Sequence, residues 1–180
     1  MLPLNLPKFS VKVTEKAGKP SIWDPVRRKF VALTPEEWVR QHFVNYLVTE
    51  KNYPQELLAN EVAVKLNGTS KRCDTVAYNR FLAPLMIIEY KAPHIEITSA
   101  VFDQIVRYNM VLHVKYLTVS NGIRHFCCKI DYEKQTYAFL EDIPEYNLLE
   151  KIVSLSKISP PYPSMHSHGS DKGLLSPTSE

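Results

Sequence analysis

The sequence predicts an α/β fold, a mixed β-sheet flanked by helices. Three observations carry that expectation. The elements alternate in type: a strand region, a helix, three strands, a second helix, then two or more further strands. Asn121-Gly122 lies between two apolar runs and is the strongest short hairpin signal in the chain. The apolar run Leu85 to Ile88 reads as a central strand buried on both faces.

Taken in order, residues 1–33 form an N-terminal extended region. Phe9, Val11 and Val13 alternate with polar residues in a strand pattern, and Ala17-Gly18-Lys19-Pro20 marks a turn. The core, residues 34–140, opens with a helix. Thr34 is its N-cap, Pro35 occupies the first helical position and Glu37 the third, the pattern of a capping box. Val39, Phe43, Tyr46 and Leu47 share one face, and the helix ends before Pro54. Glu61 to Leu66, Cys73 to Tyr78 and Leu85 to Lys91 read as three strands, the first two separated by a turn at Asn67-Gly68. Residues 98–112 suit a helix. Lys115 to Ser120 and Ile123 to Ile130 form a hairpin, Thr136 to Leu140 adds a strand, and Leu148, Leu149, Ile152 and Val153 mark a final short helix. Residues 1–156 thus make one domain. From residue 157 the chain turns rich in proline and serine, so 157–180 is expected to be a disordered tail, its His166 and His168 solvated.

Composition excludes more than it selects. With 44% apolar and 23% charged residues the chain is ordinary for a globular protein, and a net charge of +3 permits nucleic-acid binding without arguing for it. Cys73, Cys127 and Cys128 form no CxxC pair, which argues against a zinc site and fits reduced thiols. The N-terminus has no apolar run of signal-peptide length, and no stretch approaches the roughly 20 apolar residues that span a bilayer. A cytoplasmic protein without membrane contact is expected.

The chemistry is concentrated in the two central strands. If Tyr78 pairs with Leu85 and Val76 with Ile87, Asp74 stands opposite Glu89 and shares a face with it, Cβ atoms about 4.5–5.5 Å apart. Two carboxylates so placed repel. A hard divalent cation such as Mg²⁺, held by one or two carboxylates plus water and phosphate oxygens, relieves that repulsion. Lys91, two residues beyond Glu89 on the same face, can hold a water or neutralise a phosphate. The set is compact enough to hydrolyse a phosphodiester, although Glu-x-Lys alone also occurs as a solvated strand end. On the second helix Gln104 and Tyr108 stand four apart on one face, either as polar groups turned to this site or as a surface residue and a core residue.

Together these segments resemble a known family. Ile22 to Val31, Thr34 to Gln41, Arg72-Cys73-Asp74, Ile88-Glu89-Tyr90-Lys91-Ala92-Pro93 and Gln104 to Tyr108 are similar to stand-alone proteins related to the N-terminal nuclease domain of the type I restriction enzyme R subunit, over about residues 8–145. The resemblance implies a restriction-endonuclease-like fold of the PD-(D/E)xK kind. It implies a DNA endonuclease dependent on Mg²⁺, with Mn²⁺ as a substitute. Asp74 and Glu89 are then metal ligands, Lys91 the catalytic lysine, and Gln104 and Tyr108 a Q-x-x-x-Y motif of the catalytic set. Glu37 matches an acidic residue on the first helix that can face the metal, though its place in the capping box also accounts for it. Glu61 either faces the site or is solvated. The 180 residues contain no Walker A loop, so a motor or a specificity determinant would come from a protein partner. The alternative is a catalytically silent nucleic-acid-binding or accessory subunit on the same fold.

Overall fold

A computed structural model describes residues 3–66, 69–102, 105 and 112–156. Gln104, Tyr108, the Asn67-Gly68 turn and the tail 157–180 lie outside the described residues.

Strands β1 (Val13–Lys16), β2 (Lys19–Asp24) and β3 (Lys29–Ala32) form an antiparallel meander. Ala17 and Gly18, with φ of 50° and 72°, make its two-residue turn, a left-handed pair that suits the twist of a tight hairpin. Residues 9–12 precede β1 rather than extending it, contrary to the alternation at Phe9, Val11 and Val13. Helix α1 (Pro35–Thr49) begins as expected: Thr34 Oγ1 accepts the Glu37 N–H at 3.0 Å. The reciprocal half of the capping box is not made. Glu37 turns its carboxylate to Arg27, Arg40 and Gln41 instead.

The main sheet has six strands in sequence order: β4 (Leu58–Leu66), β5 (Thr69–Tyr78), β6 (Pro84–Tyr90), β7 (Tyr116–Ser120), β8 (His125–Asp131) and β9 (Thr136–Leu140). Every neighbouring pair is antiparallel except β6 and β7, so the sheet is mixed. Parallel neighbours need a crossover, and residues 91–115 supply it, with helical turns at 99–102. The final helix is α2 (Tyr146–Ser156).

Side-chain alternation on β6 feeds two cores. Met86, Ile88 and Tyr90 pack with Val39, Phe43 and Leu47 of α1 and Tyr146 and Leu149 of α2. Ile87 packs on the other face with Val76, Leu117 and Val119 and with Phe102 and Ile105 of the crossover. Met86, Ile87 and Ile88 are fully buried, each contributing roughly 1.5–3 kcal/mol by leaving water. A strand covered on both faces has no solvated side for a charge, which makes Glu89 near its end conspicuous.

Two registers differ from expectation. Val76 pairs with Ile87 as predicted, but Tyr78 pairs with Pro84 rather than Leu85, because the ladder shifts between Ala77 and Tyr78. Strand β8 begins at His125, not Ile123. Asn121 Oδ1 accepts the Ile123 and Arg124 N–H groups and makes a four-residue loop in place of a two-residue turn. Gly122 in that loop has φ of 80° and its carbonyl accepts the Asn5 N–H at 2.7 Å, which pins the N-terminal segment. Among the described residues no helix is long and apolar enough to cross a membrane.

Candidate active site

The site forms where β5 and β6 meet the start of α1. Asp74 and Thr75 follow a break in alternation: Cys73 and Val76, three residues apart, both enter the core beneath the crossover. On β4, Glu61 lies opposite the same point, between the pairs Asn60–Thr75 and Val62–Cys73. It has φ of 59°, a left-handed conformation costing on the order of 1–3 kcal/mol in a residue with a Cβ. The break frees the Asp74 carboxylate from the regular pleat. Its Oδ2 accepts the Tyr90 N–H at 2.8 Å and its Oδ1 accepts Arg40 Nη2 at 3.0 Å.

Glu89 comes alongside from β6. Its Oε1 accepts the Asp74 N–H at 3.4 Å, a long contact, and the Asp74 carboxylate lies beside it. The residue is 5% exposed. Burial, then the Asp74 charge, push the Glu89 carboxyl well above the usual range; burial also raises Asp74, even against the Tyr90 N–H and Arg40. Lys91 follows β6 directly, its N–H donating to Ser120 O at 2.9 Å, and its charge favours the ionised form of both carboxyls. The pair and Lys91 therefore sit at the carboxyl ends of the two parallel strands β6 and β7, where open α/β sheets bind ligands.

A buried ion network holds this pair from behind, and the sequence did not reveal it. Arg40 is 4% exposed and reaches three carboxylates: Glu37 at 3.1 Å, Glu61 at 2.6 Å and Asp74 at 3.0 Å. Its guanidinium lies 5.7 Å from the centre of the Tyr90 ring. Burial alone would weaken its proton affinity, but Glu37 and Asp74 outweigh that and keep it charged. Glu37 has both oxygens engaged, accepting from Arg27 Nη2 at 2.6 Å, Gln41 Nε2 at 2.7 Å and Arg40 Nη1. Arg27 is also bonded through Nε to Asp24, whose Oδ2 accepts Asn60 Nδ2 at 2.9 Å, and Asn60 in turn accepts from Thr75. Glu61 is solvated only in part: it bonds Arg40 and Arg72, whose charges hold its carboxyl below the usual range despite burial.

Glu36, beside Glu37, lies within the electrostatic reach of Asp74 and Lys91. Burial and the Asp74 charge raise its carboxyl. The helical pattern could have shown this, since Glu36 and Arg40 are four apart and share a face. Among the described residues no group of three His, Cys, Asp or Glu side chains is placed to bind a metal. Asp74 and Glu89 offer a pair of hard oxygen donors, which suits an ion that completes its shell with water and phosphate. The three cysteines are free and buried.

Residues 35–144 match the family model of the type I restriction enzyme R protein N terminus, over more than half of the chain. The chain belongs to this family. The segment matched to the R protein N terminus contains Glu36, Glu37, Arg40, Glu61, Asp74, Glu89 and Lys91, whereas Asp24 and Arg27 precede it. No curated protein matches the chain. Among solved structures, a fragment described as the HsdR subunit of a type I restriction enzyme from Vibrio vulnificus YJ016 is similar, with a TM-score of 0.52 and 19% identity. The likeness covers 69% of this chain and 26% of that one, so it establishes the shared fold, and this chain spans about a quarter of that relative's length.

Proposed function

We propose that this protein is a metal-dependent DNA nuclease in which Asp74 and Glu89 hold Mg²⁺, with Mn²⁺ able to replace it. The observation that carries this reading is the state of Glu89. It is a buried carboxylate beside a second one, and among the described residues the donor it meets is a backbone N–H at 3.4 Å. A carboxylate in that position takes up either a proton or a cation. Family membership supports the relation to restriction enzymes.

The bound ion would supply Lewis-acid chemistry and charge neutralisation at a phosphodiester. The chain's own groups do the rest. The Tyr90 N–H and Arg40 fix the Asp74 carboxylate, and the β6–β7 ladder fixes the strand that carries Glu89 and Lys91. Lys91 holds the attacking water or meets the phosphate oxygen on which charge develops. Glu37 serves by anchoring Arg40. Gln104 and Tyr108 are proposed to support the substrate side of the site. A protein partner would supply a motor or target choice, and the compartment would be the cytoplasm.

One observation favours the alternative, a silent DNA-binding or accessory subunit: Arg40 already gives Asp74 a cation. The two readings separate in a supercoiled-plasmid nicking assay with Mg²⁺ or Mn²⁺. The nuclease reading expects nicks from the wild type, loss on chelation, and loss in Lys91→Ala. A wild type that leaves the plasmid intact with both metals, alone and with partner subunits added, overturns it.

A further inference from the structure

Arg27, Lys29, Asn60, Glu61 and Arg72 line a surface cavity of about 440 Å³. Its wall carries three cations against one carboxylate; with Arg27 already paired to Asp24 and Glu37, Lys29 and Arg72 against Glu61 leave a formal surplus of one positive charge. A lining so charged is wrong for an apolar ligand and right for an anion. The cations differ in freedom. Arg27 is 15% exposed in its side chain and its charge is offset by Asp24 and Glu37, so it is a fixed part of the wall and not a cation offered to a ligand. Lys29 is exposed and Arg72 is 67% exposed, so both can reach a ligand.

The cavity adjoins the carboxylate pair. Arg72 precedes Asp74 by two residues on β5, roughly 6.5 Å along a strand. Glu61 forms the shared wall, contacting Arg40 at 2.6 Å on one side and Arg72 at 3.0 Å on the other. A nucleic-acid strand carries a phosphate about every 3.4 Å of rise, so a strand with one phosphate at Asp74 and Glu89 brings a neighbouring phosphate to this cavity.

We propose that the cavity is a docking site for a backbone phosphodiester of the bound DNA, gripped by Arg72 and Lys29 and set beside the bond to be cut. The placement of the cut rests on the nuclease reading; the phosphate site itself does not. Arginine suits the role because its planar fork meets two phosphate oxygens at once. A backbone contact of this kind gives affinity and register without reading sequence.

The test uses the full chain, a short fluorescent duplex and Ca²⁺ in place of Mg²⁺, with binding followed by anisotropy across a salt series. Arg72→Gln and Lys29→Gln should each weaken binding several-fold and lower the slope of log affinity against log salt by about one, the double variant by about two. Lys134→Gln, at a 78% exposed lysine, is the control and should leave the slope unchanged. Thermal melting and its response to Mg²⁺ should match wild type in all four variants, because the substituted groups are exposed and lie outside the carboxylate pair. Wild-type binding and slope in the double variant would overturn the proposal, as would a wild type that binds no duplex. Displacement of the duplex by equimolar inorganic phosphate or by polyglutamate would also overturn it, assigning the cavity to a free anion or an acidic protein. Plasmid nicking with an unaltered slope would refute this site and leave the nuclease reading standing; an altered slope without nicking would do the reverse.

Discussion

Replacing Arg40 by alanine tests whether the buried network holds the site. The guanidinium joins Glu37, Glu61 and Asp74, whose side chains are 9%, 27% and 17% exposed against 5% for Arg40 itself. Removing one partner of a buried ion pair costs about 3–5 kcal/mol, because the charges left behind stay desolvated. Here part of the loss is absorbed. Glu37 keeps Arg27 and Gln41, Glu61 keeps Arg72, and among the described residues Asp74 keeps the Tyr90 N–H and the Lys91 charge. The expected cost is therefore about 3 kcal/mol, and for a chain of this size each kcal/mol lowers Tm by roughly 2–4 °C. Arg40→Ala should melt about 6–12 °C below wild type by differential scanning calorimetry. Arg40→Lys keeps the charge but loses the fork, and should fall between the two. Lys134→Ala, which breaks an exposed pair, should melt with the wild type. A loss under about 1 kcal/mol in Arg40→Ala would show that the network is solvated like a surface pair, and the account of how Asp74 is held would fail.

Three further outcomes follow. Glu89 is pushed up to about 8 from an ordinary 4.5, so its contribution to stability is full below pH 4.5 and is lost as pH rises through 8. Burial lowers His42 and His125, which makes stability rise with pH up to their ordinary range, so the Glu89 part is read as the difference from Glu89→Gln: the variant should gain on wild type by on the order of a few kcal/mol between pH 4.5 and 8, and a constant difference would refute the buried, donor-poor carboxylate. At pH 8, millimolar Mg²⁺ or Mn²⁺ should raise wild-type Tm and hardly alter that of Asp74→Asn, since a cation bound only to the folded state adds RT ln(1 + [L]/Kd); equal shifts in both would place the ion elsewhere. Gly122→Ala puts a Cβ 2.7 Å from Leu4 Cδ2 at φ of 80°, and should cost about 1–3 kcal/mol in urea unfolding; no change would mean the N-terminal segment yields freely.

The sequence made the fold legible where periodicity and turn chemistry agreed. Thr34-Pro35 started α1, the apolar run at Leu85 became the doubly covered strand β6, and Val76 met Ile87 as alternation required. It misled where side chains or loops set the geometry. Asn121 used its carboxamide to lengthen a turn that Asn-Gly suggested would be tight, and the shift after Ala77 moved Tyr78 onto Pro84. In the site, the pairing of Val76 with Ile87 put Asp74 across from Glu89, but the break in alternation between Cys73 and Val76, which counting along a strand does not show, sets where the Asp74 carboxylate goes. The arginines could not be placed by counting. Arg27 reaches Glu37 across ten residues and Arg40 reaches Asp74 across 34, and such contacts depend on how α1 packs on the sheet. Glu61 was ambiguous for a related reason, since its left-handed backbone breaks the alternation that would otherwise tell its facing.

A nuclease built on this site needs Lys91 to act on the reaction and not merely on DNA affinity. Binding and cleavage should be measured on the same Lys91→Ala protein, with the duplex titrated in Ca²⁺ and the plasmid cut in Mg²⁺. If Lys91 holds the water or stabilises the developing charge, cleavage at saturating DNA falls by about two orders of magnitude or more while affinity changes only a few-fold. Equal losses in affinity and in cleavage would reduce Lys91 to one more phosphate contact and contradict the account.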